Sequence, residues 1–327
     1  MAETLTQLSR FALFHHACRI GDTALCIKLI RRGIDVQHDN NRGIIEACTN
    51  GHLNIIICLT TIKCTTRNQQ PTMYKIINFD AIMNCFEIAC KDGHLYIVQY
   101  LLILMFNRSY DISSHIFCYC IEDGLLNACI NGHYDIVRAI TLSDNIINHK
   151  MIDINSHNNS TLYFEEACRN GHLEIVKFLV SLYKIADYDM IDMYTDTTEP
   201  SLECYPLIKT CQNGYINIIK YIINLYKTTD YKMLNINAAC DASFKFACTS
   251  HYIDIAQYLV ELTIKYSAYY KPINFYSYDS DVDACLSDVL ESPYTVNKIP
   301  TLKYMENIGY IFHQALQNPN VVYFDKI

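Results

Sequence analysis

The 327-residue chain is 51% hydrophobic and 18% charged, which excludes wholesale disorder and supplies enough apolar mass for a sizeable core. A formal charge of −8 lacks the surplus of Lys and Arg that a nucleic-acid surface needs, so no nucleic acid is expected as a partner. Met1 to His16 lacks the basic start and apolar run of a secretory signal, and the longest apolar stretch, Ile97 to Phe106, is too short for a bilayer. The expected setting is therefore intracellular, without membrane association and with the 16 cysteines reduced.

From Phe14 onward one string recurs along the chain. It reads FHHACRIGDTALCIKLI from Phe14, IIEACTNGHLNIIICL from Ile44, FEIACKDGHLYIVQYL from Phe86 and LLNACINGHYDIVRAI from Leu125. It continues as FEEACRNGHLEIVKFL from Phe164, LIKTCQNGYINIIKYI from Leu207 and FKFACTSHYIDIAQYL from Phe244. The anchors Cys18, Cys48, Cys90, Cys129, Cys168, Cys211 and Cys248 are separated by 30, 42, 39, 39, 43 and 37 residues, so the motif is rigid and the spacer elastic.

Each column has a physical reading. Four positions before the cysteine stand Phe14, Ile44, Phe86, Leu125, Phe164, Leu207 and Phe244, and immediately before it stands Ala or, once, Thr210. That spacing predicts the apolar face of a helix, with a small residue where a neighbouring helix approaches. Three positions after the cysteine stand six glycines, Gly21 to Gly214, and finally His251, in a slot that suits a left-handed helix-ending residue. A second helix follows, its core face exemplified by Leu173, Ile175, Val176, Leu179 and Val180, with Glu174 and Lys177 on an exposed stripe. Helices this short need stacked neighbours to bury their apolar faces.

A weaker signal, Ile77–Asn78, Ile154–Asn155, Ile236–Asn237 and Ile273–Asn274, closes several units. The last points to Cys285 as the anchor of an eighth, degraded unit, where Asp288 fills the glycine slot and Pro293 interrupts the second helix. A helical pattern over Leu302 to Leu316 reads as a terminal cap. The expected organisation is one solenoid over residues 1–327: a capping repeat in 1–37, six internal repeats in 38–274, then the degraded repeat and cap in 275–327.

The motif A-C-x-N-G-H-L-x-I-V-x-x-L resembles the ankyrin consensus, and Arg32-Gly33-Ile34-Asp35-Val36 resembles its G-A-D-V-N loop. The repeat wording, elastic spacers and Ile/Asn/Tyr bias resemble the paralogous ankyrin-repeat families of giant DNA viruses of amoebae, of the mimivirus type. The T-P-L-H opening of the family's first helix is absent from every copy, and spacers such as Leu59 to Phe86 exceed its period. The resemblance implies an all-α ankyrin-like helix–turn–helix solenoid with long irregular spacers and a concave side. It implies a non-catalytic scaffold, expected to be a monomer in host cytoplasm, binding a host or viral protein through inter-repeat loops and the concave ends of the first helices. Carried onto this chain, those ends give Arg19, Ile20, Thr49, Lys91, Asp92, Ile130, Arg169, Gln212 and Thr249 as protein-binding residues. The Asn members of the same positions read as helix-ending residues. The alternative is a structural or self-associating component of a particle, served by exposed apolar spacers such as Met190 to Tyr194.

Four copies place His four residues after Cys, as in Cys48/His52, Cys90/His94, Cys129/His133 and Cys168/His172. On an unbroken helix such pairs could ligate zinc, but the intervening glycine ends the helix between them. The thiols read as small core hydrophobes and the histidines as braces of the interhelical turn. Asp279, Asp281 and Asp283 read as a solvated loop lacking the glycine of a calcium site. No cofactor, metal site or catalytic residue is expected, since no phosphate loop, dinucleotide fingerprint, nucleophile elbow or zinc-protease motif occurs.

Overall fold

The computed structural model describes residues 2–61, 77–107, 115–148, 160–182, 205–228, 243–244 and 246–265. They form α1 (Ala2–Ile20), α2 (Thr23–Arg31), α3 (His38–Thr49), α4 (Leu53–Thr61), α5 (Phe79–Asp92), α6 (Leu95–Asn107) and α7 (His115–Asn131). Then come α8 (Tyr134–Thr141), α9 (Asp144–Asn148), α10 (Ser160–Arg169), α11 (Leu173–Leu182), α12 (Tyr205–Gln212), α13 (Ile216–Thr228) and α14 (Ile253–Lys265), with residues 246–249 also helical. No strand occurs among the described residues, so the architecture is all-α, built of helix–turn–helix repeats as the columns predict. The degraded unit around Cys285, the cap, the acidic loop and Met190 to Tyr194 lie outside the described residues, as do three of the Ile–Asn pairs.

The turn inside each repeat is the best-defined local structure. Gly21, Gly51, Gly93, Gly132, Gly171 and Gly214 take φ values from 76° to 85°, and His251 takes 63°. This left-handed residue lets the following amide reach back to the last turn of the first helix. The N–H of His52 donates to Ala47 at 2.8 Å, that of His94 to Ala89 at 2.9 Å and that of His133 to Ala128 at 2.9 Å. Asp22, His172, Tyr215 and Tyr252 repeat the bond onto Ala17, Ala167, Thr210 and Ala247. All seven turns are therefore closed the same way, and the small residue before each cysteine supplies the acceptor.

The chain divides into two compact units, Met1–Asp153 and Ile154–Ile327. In the first, α1, α3, α5 and α7 pack in series as one layer, and α2, α4, α6 and α8 as a second. In the other, α10 packs on α12 and α11 on α13. All seven anchor cysteines and the residue before each are fully buried, as are Phe14, Ile44, Phe86 and Leu125. Ile175, Val176, Leu179 and Val180 are buried as expected, whereas Leu173 is half-buried; Glu174 and Lys177 are exposed and pair at 2.8 Å.

Close approach between successive first helices depends on a size complement that crosses repeats. A Cβ on Gly43 would sit 2.5 Å from Cε1 of Phe14, and one on Gly124 would sit 2.4 Å from Cε1 of Phe86. Where the earlier copy carries the slimmer Ile44, the later one holds Cys85 in the corresponding place. There the Cys48 thiol donates to the Cys85 carbonyl at 2.9 Å. Through the first four copies ring and glycine thus alternate with aliphatic and thiol.

Two local features depart from the sequence reading. Ile77 and Asn78 open α5 and do not close the preceding unit: Asn78 is the N-cap, accepting from the Ala81 amide at 3.1 Å, and Ile77 is buried. The right-handed part of α3 starts only at Arg42, because Asp39, Asn40 and Asn41 have φ of 56°, 53° and 64°. Asp and Asn are the side chains that best tolerate this left-handed turn.

Gly124 makes a prediction with a decisive sign. On an open helix Gly→Ala raises stability by about 1 kcal/mol. Here Gly124→Ala is expected to lower it by about 1–3 kcal/mol, because the added methyl overlaps the fully buried Phe86 ring; urea denaturation of the two proteins checks the sign.

Candidate interaction surface

The ends of α1, α3 and α5 are each tied to the repeat that follows. His52 Nε2 donates to the Arg19 carbonyl at 2.9 Å, His94 Nε2 to the Thr49 carbonyl at 3.1 Å, and His133 Nε2 to the Lys91 carbonyl at 2.9 Å. A carbonyl only accepts, so Nε2 carries the proton in each ring. The same rings lie flush on the preceding glycines. A Cβ on Gly21 would be 2.8 Å from His52 Cε1, one on Gly51 2.9 Å from His94 and one on Gly93 2.7 Å from His133. These histidines therefore brace one repeat against the previous one through the side chain, while their backbone N–H closes their own turn. The expected turn brace is made by the main chain.

In the sixth and seventh copies tyrosine takes over the ring. Tyr215 covers Gly171 and Tyr252 covers Gly214, where a Cβ would be 2.4 Å and 2.5 Å away. The Arg169 carbonyl is then held by Asn213 Nδ2 at 2.7 Å. The first copy has Asp22 in the ring column, and its carboxylate caps α2 by accepting from Leu25 N–H at 2.9 Å. The imidazole and the thiol of the Cys48/His52 pair point to different places: His52 reaches Arg19, whereas Cys48 reaches Cys85. No cluster of three metal-ligating side chains occurs among the described residues.

Four residues expected to bind protein, Arg19, Thr49, Lys91 and Arg169, are those whose carbonyls are clasped. Their backbones are thus held while their side chains stand exposed, together with Ile20 and Asp92. Ile130, Gln212 and Thr249 are half-buried. In the first unit the serial packing of α1, α3, α5 and α7 brings Arg19, Ile20, Thr49, Lys91, Asp92 and Ile130 into one row of helix ends. Arg169 and Gln212 end the adjacent helices α10 and α12 in the other unit.

Several side chains in these rows have local partners. Arg19 meets His16 Nδ1 at 3.0 Å, Arg169 pairs with Glu166 at 3.2 Å, and Lys209 donates to Gln212 at 3.1 Å. Thr49 and Thr249 bond back to Ile45 and Phe246 carbonyls at 3.0 Å and 3.1 Å. The neighbouring asparagines end their helices as read: Asn50, Asn131 and Asn170 donate at 2.8 Å to the carbonyls of Glu46, Asn127 and Glu166. Arg19, Lys91 and Arg169 also sit in last helical turns, where cations offset the negative end of the helix dipole.

His15 in α1 lies where burial and neighbouring charge oppose its protonation. Burial, and then the Arg42 guanidinium and His38, hold His15 below the ordinary histidine range, against smaller opposing effects of Asp39 and Glu46. His38 stacks on Phe11, and the buried His15 Nε2 has no hydrogen-bond partner among the described residues. Elsewhere burial, followed by a neighbouring carboxylate, raises Glu87 (beside Asp123) and Glu165 (beside Glu166) above the usual carboxylate range.

Residues 86–192 match the family model of ankyrin repeats (3 copies). That span runs from Phe86 through the third, fourth and fifth copies. Copies one, two, six and seven lie outside it yet share the left-handed turn and the reach-back amide, so the ankyrin-like fold extends over all seven. No curated protein matches the chain. No described helix is long and apolar enough to cross a membrane. Ankyrin repeats generally mediate protein–protein interaction and are typically non-catalytic binding modules.

A folded pKa below the unfolded value means that the unfolded chain binds more protons, so stability is full above about pH 6.5 and falls as pH drops below it. His15→Gln is expected to flatten the wild-type loss of stability between about pH 7 and pH 5.5, measured by chemical denaturation at each pH.

Proposed function

We propose that the chain is a non-catalytic scaffold that binds a protein partner, host or viral, through variable side chains held on clasped helix ends. The observation that carries this reading is the pairing of a constant backbone with varied chemistry. The carbonyls of Arg19, Thr49, Lys91 and Arg169 are each bonded to the next repeat, yet their side chains are cationic, hydroxylic, cationic and cationic. Holding the main chain removes ordering cost at binding, which raises affinity without adding contacts. Ile20 and Asp92 extend the row with an aliphatic and an acidic group, and Ile130, Gln212 and Thr249 complete it. The inter-repeat loops are the second part of the proposed surface.

The resemblance of the repeat wording to giant-virus families makes amoeba cytoplasm the natural source of partner, with the chain acting as a soluble monomer. A second reading, self-association, is favoured by exposed apolar side chains in the first unit: Tyr96 at 73%, Ile116 at 64% and Tyr119 at 60% of full exposure.

The test is an affinity pull-down from amoeba lysate with wild type and with Arg19, Lys91 and Arg169 changed to Glu. Matching Gln variants remove each charge without reversing it against the helix dipole, and circular dichroism confirms that all are folded. The scaffold reading expects a discrete prey lost with Glu and weakened with Gln. Prey that is identical for all variants moves the site to the loops, and no prey beyond a surface-scrambled control contradicts the reading. Size that grows with concentration in light scattering supports self-association in its place.

A further inference from the structure

The first repeat contains a thiol pair that the other copies lack. Cys18 lies in the last turn of α1 and Cys26 in α2, and their sulfurs are 3.6 Å apart, in van der Waals contact, with both side chains fully buried. Eight positions after the anchor cysteine, the other six copies hold Ile56, Val98, Val137, Val176, Ile219 and Ala256. The core there accepts an aliphatic group everywhere else, so packing does not call for sulfur. Two cysteines joined across a tight turn close only a short loop, and a small movement brings their sulfurs to bonding distance.

We propose that Cys18 and Cys26 form a redox-responsive dithiol, oxidised by peroxide to a disulfide that staples α1 to α2. The hydrogen bond between the two sulfurs gives them different roles. Either sulfur can donate in this contact; when Cys18 donates, the Cys26 sulfur is held below the ordinary thiol range, while the same contact and burial push Cys18 up. Cys26 is then the sulfur that reacts first, as the thiolate is the nucleophile. It attacks one peroxide oxygen, the O–O bond breaks, and Cys26 becomes a sulfenic acid while hydroxide takes up the displaced proton as water. Cys18 sulfur next attacks the sulfenic sulfur, the S–O bond breaks, and the departing hydroxide leaves as water with the Cys18 proton. Two thiols are oxidised to one disulfide and one peroxide is reduced to two waters. Access comes through local opening of the α1–α2 pair, since proteins open locally at lower free energy than they unfold globally.

Other thiols provide the contrast. Cys90, Cys129 and Cys168 are raised by burial, and Cys211 is pushed up to about 12, so none of them is a ready nucleophile.

The experiment treats reduced full-length protein with graded hydrogen peroxide, blocks remaining thiols with an alkylating reagent under denaturing conditions, and maps tryptic peptides. Cleavage after Arg10, Arg19 and Lys28 places the two cysteines on separate peptides, so their link appears as a joined pair lighter by two hydrogens and is lost with dithiothreitol. The proposal expects that pair to appear before any other disulfide, and amide exchange in α2 to slow by about tenfold or more in the oxidised form. Cys26→Val, which installs the residue of three other copies, should stay folded, form no link at Cys18 and show no peroxide-dependent change in exchange. Full alkylation of both cysteines after peroxide treatment overturns the proposal. So does a first-formed disulfide involving Cys58 or another copy of the chain, or an unaltered exchange response in Cys26→Val.

Discussion

The stack depends on a left-handed glycine with the ring of the next repeat lying on it. Three requirements meet at that residue. The chain must turn with φ near +80°, the following amide must reach the carbonyl before the anchor cysteine, and the ring must approach within the space a Cβ would fill. Glycine alone satisfies the first and third at no steric cost. A residue chosen for a turn within one repeat is thereby also the seat for its neighbour. In copies two to four the histidine uses its amide for its own turn and its Nε2 for the previous helix end, so local and inter-repeat geometry are set by one side chain.

The residue in the ring column varies along the described repeats. Asp22 occupies the ring column of the first copy and caps its own helix. In the seventh copy His251 makes the left-handed turn with a Cβ of its own. Between them the partners vary without losing the function: imidazole does both jobs in three clasps, whereas in the second unit Tyr215 covers Gly171 and Asn213 holds the Arg169 carbonyl. The exposed side chains of Arg19, Thr49, Lys91 and Arg169 are supported by a backbone that the next repeat holds in place.

Much of the architecture was legible because it repeats within a single copy. The buried anchor cysteines, the large apolar residue four positions earlier, the small residue beside each anchor and the glycine turns all have the predicted roles. What was missed involves pairs of copies. Column alignment shows that ring residues recur after the glycine, but not that His52 reaches back to Arg19 and not to its own turn. The absence of a ring in the first copy, Asp22, was the available signal. Gly43 and Gly124 were unreadable for the same reason, since they complement Phe14 and Phe86 in the preceding copies. Asn78 was legible as a recurrent residue but assigned to the wrong side of a boundary, because an N-cap stands outside the helical periodicity. The left-handed run Asp39–Asn41 had no helical or strand pattern to announce it. Of the proposed surface, residue positions were readable, whereas the clasp that holds them was not.

The most direct measurement of the ring–glycine clasp is a double-mutant cycle on Gly93 and His133, followed by denaturant unfolding monitored across the first unit. Gly93→Ala in wild type meets both the φ of 84° and the ring 2.7 Å away, whereas in a His133→Ala background only the backbone strain remains. The clasp predicts a coupling of at least about 1 kcal/mol between the two sites. Additivity within about 0.5 kcal/mol would mean that ring and glycine act independently, and would contradict the claim that this contact sets one repeat upon the next.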